Sequence, residues 1–168
     1  LRGFILGVFA TLLILVVGGY LFVRGGGVSL STTAPPLPLE ERVAHMALRA
    51  SIGSAVDQKN PLPFADDNML AGANVYKENC AVCHGAPHQG STGFSKGMFP
   101  PPPKLLEKAD LVTDDPEGET FWKVTHGIRL SGMPGFADTL SEKQRWQVTM
   151  FVSHADKLPS AVETVFNH

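Results

Sequence analysis

The sequence predicts a helical chain, a single transmembrane helix followed by further helical segments, and three observations carry that reading. From Phe4 to Val23 no residue is charged, and Arg2 and Arg24 stand just outside. Leu39, Val43, Met46, Ala47 and Ala50 recur at helical spacing, with Glu40, Glu41, Arg42 and Arg49 elsewhere on the same stretch. Two further segments, near residues 66–80 and 141–158, carry helix start signals followed by recurring apolar positions.

The first helix is sized for a bilayer. Twenty residues at about 1.5 Å each reach roughly 30 Å, the thickness of the hydrocarbon core. Gly3, Gly7, Gly18 and Gly19 do not argue against it, because lipid offers the backbone no partner outside the helix. A cleaved secretory signal is the competing reading. The apolar run is longer than the usual signal core, and Thr32-Thr33-Ala34, the nearest small-residue site, is followed by Pro35. The segment therefore reads as a retained anchor. With one Arg on each side, charge bias alone does not orient it.

Gly25-Gly26-Gly27, a Ser/Thr stretch and Pro35-Pro36-Leu37-Pro38 form a linker that is flexible first and stiffer later. The segment from Leu39 to about Ile52 then reads as a short amphipathic helix lying on the globular domain, with docking on a membrane partner or on the bilayer surface as the alternative, and residues 57–67, with Pro61 and Pro63, as a second connector. Composition narrows the class further. The formal net charge is −2, and from Pro61 to His168 there are 13 acidic and 9 basic residues. A mildly acidic chain lacks the concentrated basic surface that nucleic acid requires.

Chemistry is concentrated at the only two cysteines, Cys80 and Cys83. The loop they would close is too short for a useful structural disulfide. Redox thiols, half of a metal site and haem attachment remain. No βαβ pattern surrounds the pair, and no second Cys pair supplies a zinc site. Cys80-Ala81-Val82-Cys83-His84 instead matches the attachment signature of a c-type haem. Two thiols on one helical turn add to the porphyrin vinyl groups, and His84 follows as the proximal iron ligand. Asp66-Asp67-Asn68 reads as the cap of the helix leading into the motif, with Leu70, Ala73, Val75, Tyr76 and Asn79 along it. Ser141-Glu142-Lys143-Gln144 opens the last helix, followed by Trp146, Val148, Met150, Phe151 and Val152 up to Leu158-Pro159.

The order Gly72, Tyr76, Cys80-x-x-Cys83-His84-Gly85, a proline-rich loop, Gly127-Ile128, Met133-Pro134-Gly135-Phe136 and a last helix with Trp146 resembles class I cytochrome c. It is similar in particular to small bacterial single-haem cytochromes with an amino-terminal anchor, over residues 69–159. The resemblance implies a small all-α domain wrapped around one covalent haem c. It implies a close crossing of the first and last helices, with Gly72 and Tyr76 against Trp146 and Met150 or Phe151. It also implies that a carbonyl near Pro100-Pro101-Pro102-Pro103 accepts the proton on His84 Nδ1. The domains expected are an anchor at 1–24, a linker with its short helix at 25–65, the haem domain at 66–160 and a tail at 161–168.

Met133, in Ser131-Gly132-Met133-Pro134, fits the family's distal ligand, a soft thioether that raises the reduction potential. Met98 and His126 are the alternatives. His88 follows the motif too closely to reach the distal side, and His45, His154 and His168 read as solvated. Asp114, Asp115, Glu117 and Glu119 read as a solvated run whose carboxylates start the next helix, with a docking patch for a basic partner as the alternative. Arg129 is a candidate to hold a haem propionate, weighed against a plain surface arginine.

Because c-type haem is attached outside the cytoplasm, the expected topology is a single-pass inner-membrane protein with its haem domain in the periplasm. With both axial positions filled, the expectation is an electron carrier and not an enzyme. Its partners would be redox proteins, a membrane oxidoreductase complex among them. A fixed subunit of such a respiratory or photosynthetic complex is the alternative, and a peroxidase-like or gas-sensing haem protein is a further one.

Overall fold

The structure is a computed structural model that describes residues 1–87, 91–108 and 110–166, with only the backbone of residues 163 and 166. The chain divides into two compact units, Leu1–Glu40 and Glu41–His168. Among the described residues there is no strand, only an isolated bridge between Ile128 and Met133.

The first unit contains α1, Arg2–Arg24, whose mean hydropathy of 2.5 and length of 23 residues suit a membrane span. Thr11 folds its hydroxyl onto the Gly7 carbonyl, 3.0 Å away, so its polar group is satisfied within the helix. Gly25 follows as the carboxy-terminal cap.

In the second unit α2, Glu40–Ile52, runs into a 3-10 turn, Gly53–Asp57. The apolar face expected to lie on the domain is uncovered. Val43 and Met46 are exposed, as are Ala47 and Ala50, and burial begins only with Leu48 and Ile52 at the helix end. Only the last turn of α2 reaches the domain, since the segment that docks is the turn after it. There the carbonyls of Ala55, Val56 and Gln58 crowd Gly118 in the helix Glu117–His126, and Asn60 Nδ2 donates to the Trp146 carbonyl at 3.3 Å.

The helices that form the core are α3, Asp66–Asn79, α6, Glu117–His126, and α7, Glu142–Ser153, with short turns α4, Ala81–His84, α5, Gly93–Lys96, and α8, Ser160–Glu163. The cap of α3 is Ala65, which offers no side-chain bond. Asp66 and Asp67 sit inside the first turn and act on the helix dipole instead. Helix α7 starts as its sequence predicts, with a capping box between Ser141 and Gln144. It ends at Ser153, earlier than expected. Beyond it Val162 is completely buried, and Lys77 Nζ donates to the Val165 carbonyl at 2.7 Å, which ties residues 160–166 to α3.

Helices α3 and α7 cross in near-backbone contact. A methyl group at Gly72 would overlap the Gln147 carbonyl oxygen and come within 2.9 Å of Phe151 Cβ. The aromatic partner on α3 is Tyr76, its ring centroid 5.3 Å from that of Phe151. Trp146 makes its aromatic contact with another helix: its indole stacks on Phe121 of α6, with centroids 3.8 Å apart and planes 7° from parallel. Met69, Ala73, Val148, Met150 and Val152 fill the core around these contacts.

Gly72→Ala is expected to lower stability by roughly 1–3 kcal/mol, the usual cost of overpacking. Gly93→Ala, where nothing lies within 4 Å of the added methyl, is the control. Denaturant midpoints of the two variants check this.

Candidate haem-binding site

Helix α3 leads straight into the cysteine motif. Cys80 ends α3, with its N–H on the Tyr76 carbonyl at 2.8 Å, and also begins α4. Cys83 and His84 both direct their N–H groups to the Cys80 carbonyl, at 3.1 and 2.9 Å, so the two thiols and the imidazole occupy one tight turn. Two further contacts hold that turn. The buried Tyr76 hydroxyl donates to the Gly85 carbonyl at 2.8 Å, and the Thr92 hydroxyl donates to that of Val82 at 2.7 Å. Thr92 also caps α5 by accepting from Ser95 N.

The electrostatics follow from burial. Burial, with the neighbouring Cys83 adding, pushes the Cys80 thiol up to about 12. Burial, with Cys80 adding, also pushes the Tyr76 phenol up, so it stays protonated and remains a donor. His84 Nδ1 lies 2.7 Å from the Pro103 carbonyl. A carbonyl only accepts, so Nδ1 carries the proton and the Nε2 lone pair is free for a metal. Burial lowers the imidazole below its usual range, against the opposing effect of that hydrogen bond, and this favours the neutral, ligating form. The accepting carbonyl that the proline run promised is thus that of Pro103.

The loop after α6 supplies the other chemistry. Gly127 has φ +68°, and a Cβ there would meet Gly135 N and the Met133 carbonyl oxygen at 2.5–2.6 Å, so glycine is required on both counts. Ile128 N–H donates to the Met133 carbonyl at 3.1 Å, and Phe136 N–H to that of Val124 at 3.0 Å. Ser131 Oγ donates to the Ile128 carbonyl and accepts from Met133 N–H. Met133 is therefore presented on a loop bonded back onto α6.

Motif and loop line one cavity of about 290 Å³. Cys80, Cys83, His84, Met133 and Met98 all face it, with Pro100–Pro103, Leu105, Val112, Val124, Phe136, Val148 and Val152 making most of the remaining wall. Two thiols, a neutral imidazole and thioethers in an apolar enclosure fit a covalent haem and its two axial ligands. Met98 and Met133 lie on neighbouring loops, since a Cβ on Gly132 would come within 2.6 Å of Met98 Cε.

The remaining candidates lie elsewhere. His126 is exposed with its ring 4.9 Å from that of Trp122, and Arg129 is exposed; neither lines the cavity. His45 is exposed beside Glu41. His154 is not solvated as expected, because it packs on the Phe64 ring and bonds the Met150 carbonyl at 2.9 Å. His88 and His168 lie outside the described residues. Lys123 does line the cavity, and sequence reasoning passed over it. Its one signal was the four-residue spacing from Glu119, which on an isolated helix reads as an ordinary surface pair.

An all-α domain built around such a cavity is a class I c-type cytochrome domain. The chain belongs to the family described as "Cytochrome C oxidase, cbb3-type, subunit III", whose model matches residues 67–152, about half its length. Membership of the cytochrome c families implies haem c as cofactor. The chain is 34% identical over 100 residues to the "Cbb3-type cytochrome c oxidase subunit FixP" of Sinorhizobium medicae, covering 55% of this chain and 32% of that protein. It is 34% identical over 90 residues to the "Alcohol dehydrogenase (quinone), cytochrome c subunit" of Gluconobacter oxydans, covering 49% of this chain and 17% of that one. Cytochrome c6 of Limnospira maxima is 33% identical over 91 residues, 51% of this chain and 90% of that protein. The chain thus spans about a third of the FixP relative.

Tyr76→Phe leaves the buried Gly85 carbonyl without its donor and is expected to cost about 1–3 kcal/mol. A lower denaturation midpoint with the haem still attached is the result that checks it.

Proposed function

We propose that this chain is a membrane-tethered electron carrier holding one haem c, joined to Cys80 and Cys83 and ligated by His84 and Met133. The observation that carries the reading is that the cysteine turn and the Met133 loop line the same apolar cavity. When bound, the haem supplies a one-electron couple between ferrous and ferric iron. The protein's own part is to hold that couple in place and tune it. Pro103 fixes the His84 ring and makes it a better ligand. The Met133 thioether favours the reduced iron and raises the potential. The valine, leucine and proline walls would exclude water from a bound haem, and His84 and Met133 would both be taken up in holding its iron.

α1 tethers the domain to the inner membrane, and haem attachment outside the cytoplasm places the domain in the periplasm. The partners are redox proteins, with a membrane oxidoreductase complex foremost. A second reading, a fixed subunit of such a complex, is favoured by relatives whose names describe subunits of an oxidase and of a quinone-linked dehydrogenase.

Replacing both Cys80 and Cys83 with Ser is expected to abolish haem staining in denaturing gels and the c-type reduced spectrum. Zinc or a disulfide in the wild-type chain, without haem, would overturn the reading. Met133→Ala is expected to remove the ferric sulfur-to-iron band in the far red, lower the potential and open the iron to carbon monoxide. Met98→Ala should leave that band intact, and the opposite pattern would move the ligand to Met98. A chain starting near Ser31, given a cleavable signal, should be soluble and keep its haem, whereas the full chain should need detergent.

A further inference from the structure

Haem brings two carboxylates into its site, on the edge of the macrocycle away from the two vinyl positions that Cys80 and Cys83 would hold. A carboxylate taken into an apolar enclosure is costly unless a cation or hydrogen-bond donors meet it. Among the described residues lining the cavity, Lys123 is the only one with a charged side chain. Asn79, Thr120 and Ser131 are its uncharged polar company, while the Tyr76 hydroxyl already serves Gly85.

Lys123 is held by its neighbours. Its Nζ lies 2.6 Å from Glu119 Oε1, one turn back on α6, and 3.7 Å from Asp115 Oδ2, and its side chain is only 23% exposed. The other cations of the domain are placed differently. Arg129 and Lys96 are exposed and off the cavity wall. Arg145 donates to the Ala137 and Leu140 carbonyls and covers the Phe121 ring. Lys104 pairs with Glu107.

We propose that Lys123 holds a haem propionate, and that Glu119 and Asp115 position it, so that these three side chains set the charge felt by the iron. This rests on the cavity being a haem site. The ferric state carries one more positive charge than the ferrous state, so a nearby cation favours reduction and a nearby carboxylate opposes it. Glu119 and Asp115 orient the ammonium and also offset its charge; a Gln at 119 still accepts from Lys123 Nζ, so it keeps the positioning and removes only the negative charge, which acts opposite to the loss of Lys123.

The test uses the full-length holoprotein in detergent, comparing wild type, Lys123→Gln, Lys123→Arg and Glu119→Gln. Two quantities are read, the midpoint potential and the haem-propionate bending band in the resonance Raman spectrum. The expected result is a lower potential and a shifted propionate band in Lys123→Gln, both restored toward wild type in Lys123→Arg, and a higher potential in Glu119→Gln. An unchanged potential and band in Lys123→Gln would overturn the proposal. So would Lys123→Gln and Glu119→Gln moving the potential in the same direction, which is the mark of altered packing. Haem staining and the reduced c-type spectrum of the wild type are recorded first. Their absence would count against the haem reading itself, and so separates the two failures.

Discussion

The crossing of α3 and α7 at Gly72 is the contact on which the haem domain depends. With no side chain at Gly72, the α7 backbone comes close enough for Phe151 to reach Tyr76. Tyr76 in turn spans from that crossing to the Gly85 carbonyl. The core contact and the turn that presents Cys80, Cys83 and His84 are therefore mechanically joined through one phenol. Packing at the crossing and geometry at the site are not separable here, because interiors at native density pass a displacement on to their neighbours.

The cavity then follows from what the crossing leaves uncovered. Val148 and Val152 of α7 line it on a face distinct from that of Gln147 and Phe151, and Val124 of α6 joins them. The proline run contributes backbone carbonyls that have no helix or strand to satisfy, and the Pro103 carbonyl is taken up by His84. The Met133 loop is held by backbone bonds to α6 and shaped by the positive φ of Gly127. Apolar packing thus shapes the enclosure, and hydrogen bonds aim the groups that face it.

Much of this was legible in the sequence. The anchor is a matter of composition and length, and both are local properties. The cysteine motif is equally local, because one helical turn suffices to place two thiols and an imidazole together. The capping box at Ser141 could be read for the same reason, since its two partners are three residues apart. The resemblance to class I cytochrome c added the order of the parts and the importance of Gly72 and Met133.

What the sequence did not determine lies in contacts between residues far apart along the chain. Helical periodicity places Trp146 on an apolar face but does not say which neighbour meets that face, and the structure gives it to Phe121. The apolar stripe of α2 allowed a helix lying on the domain or one docked on a membrane partner, and in the structure what docks on the domain is the turn after it, because Gly118 admits a backbone there. Four proline carbonyls looked alike until the fold brought Pro103 to His84, 19 residues away. Arg129, weighed as a propionate partner against a plain surface arginine for its place near Met133, is exposed and off the cavity wall, whereas Lys123 of α6 lines it. That difference is set only by how α6 packs against the cavity. Residue type and spacing determined which chemistry the chain carries; distance in space, which only packing sets, decided which groups serve it.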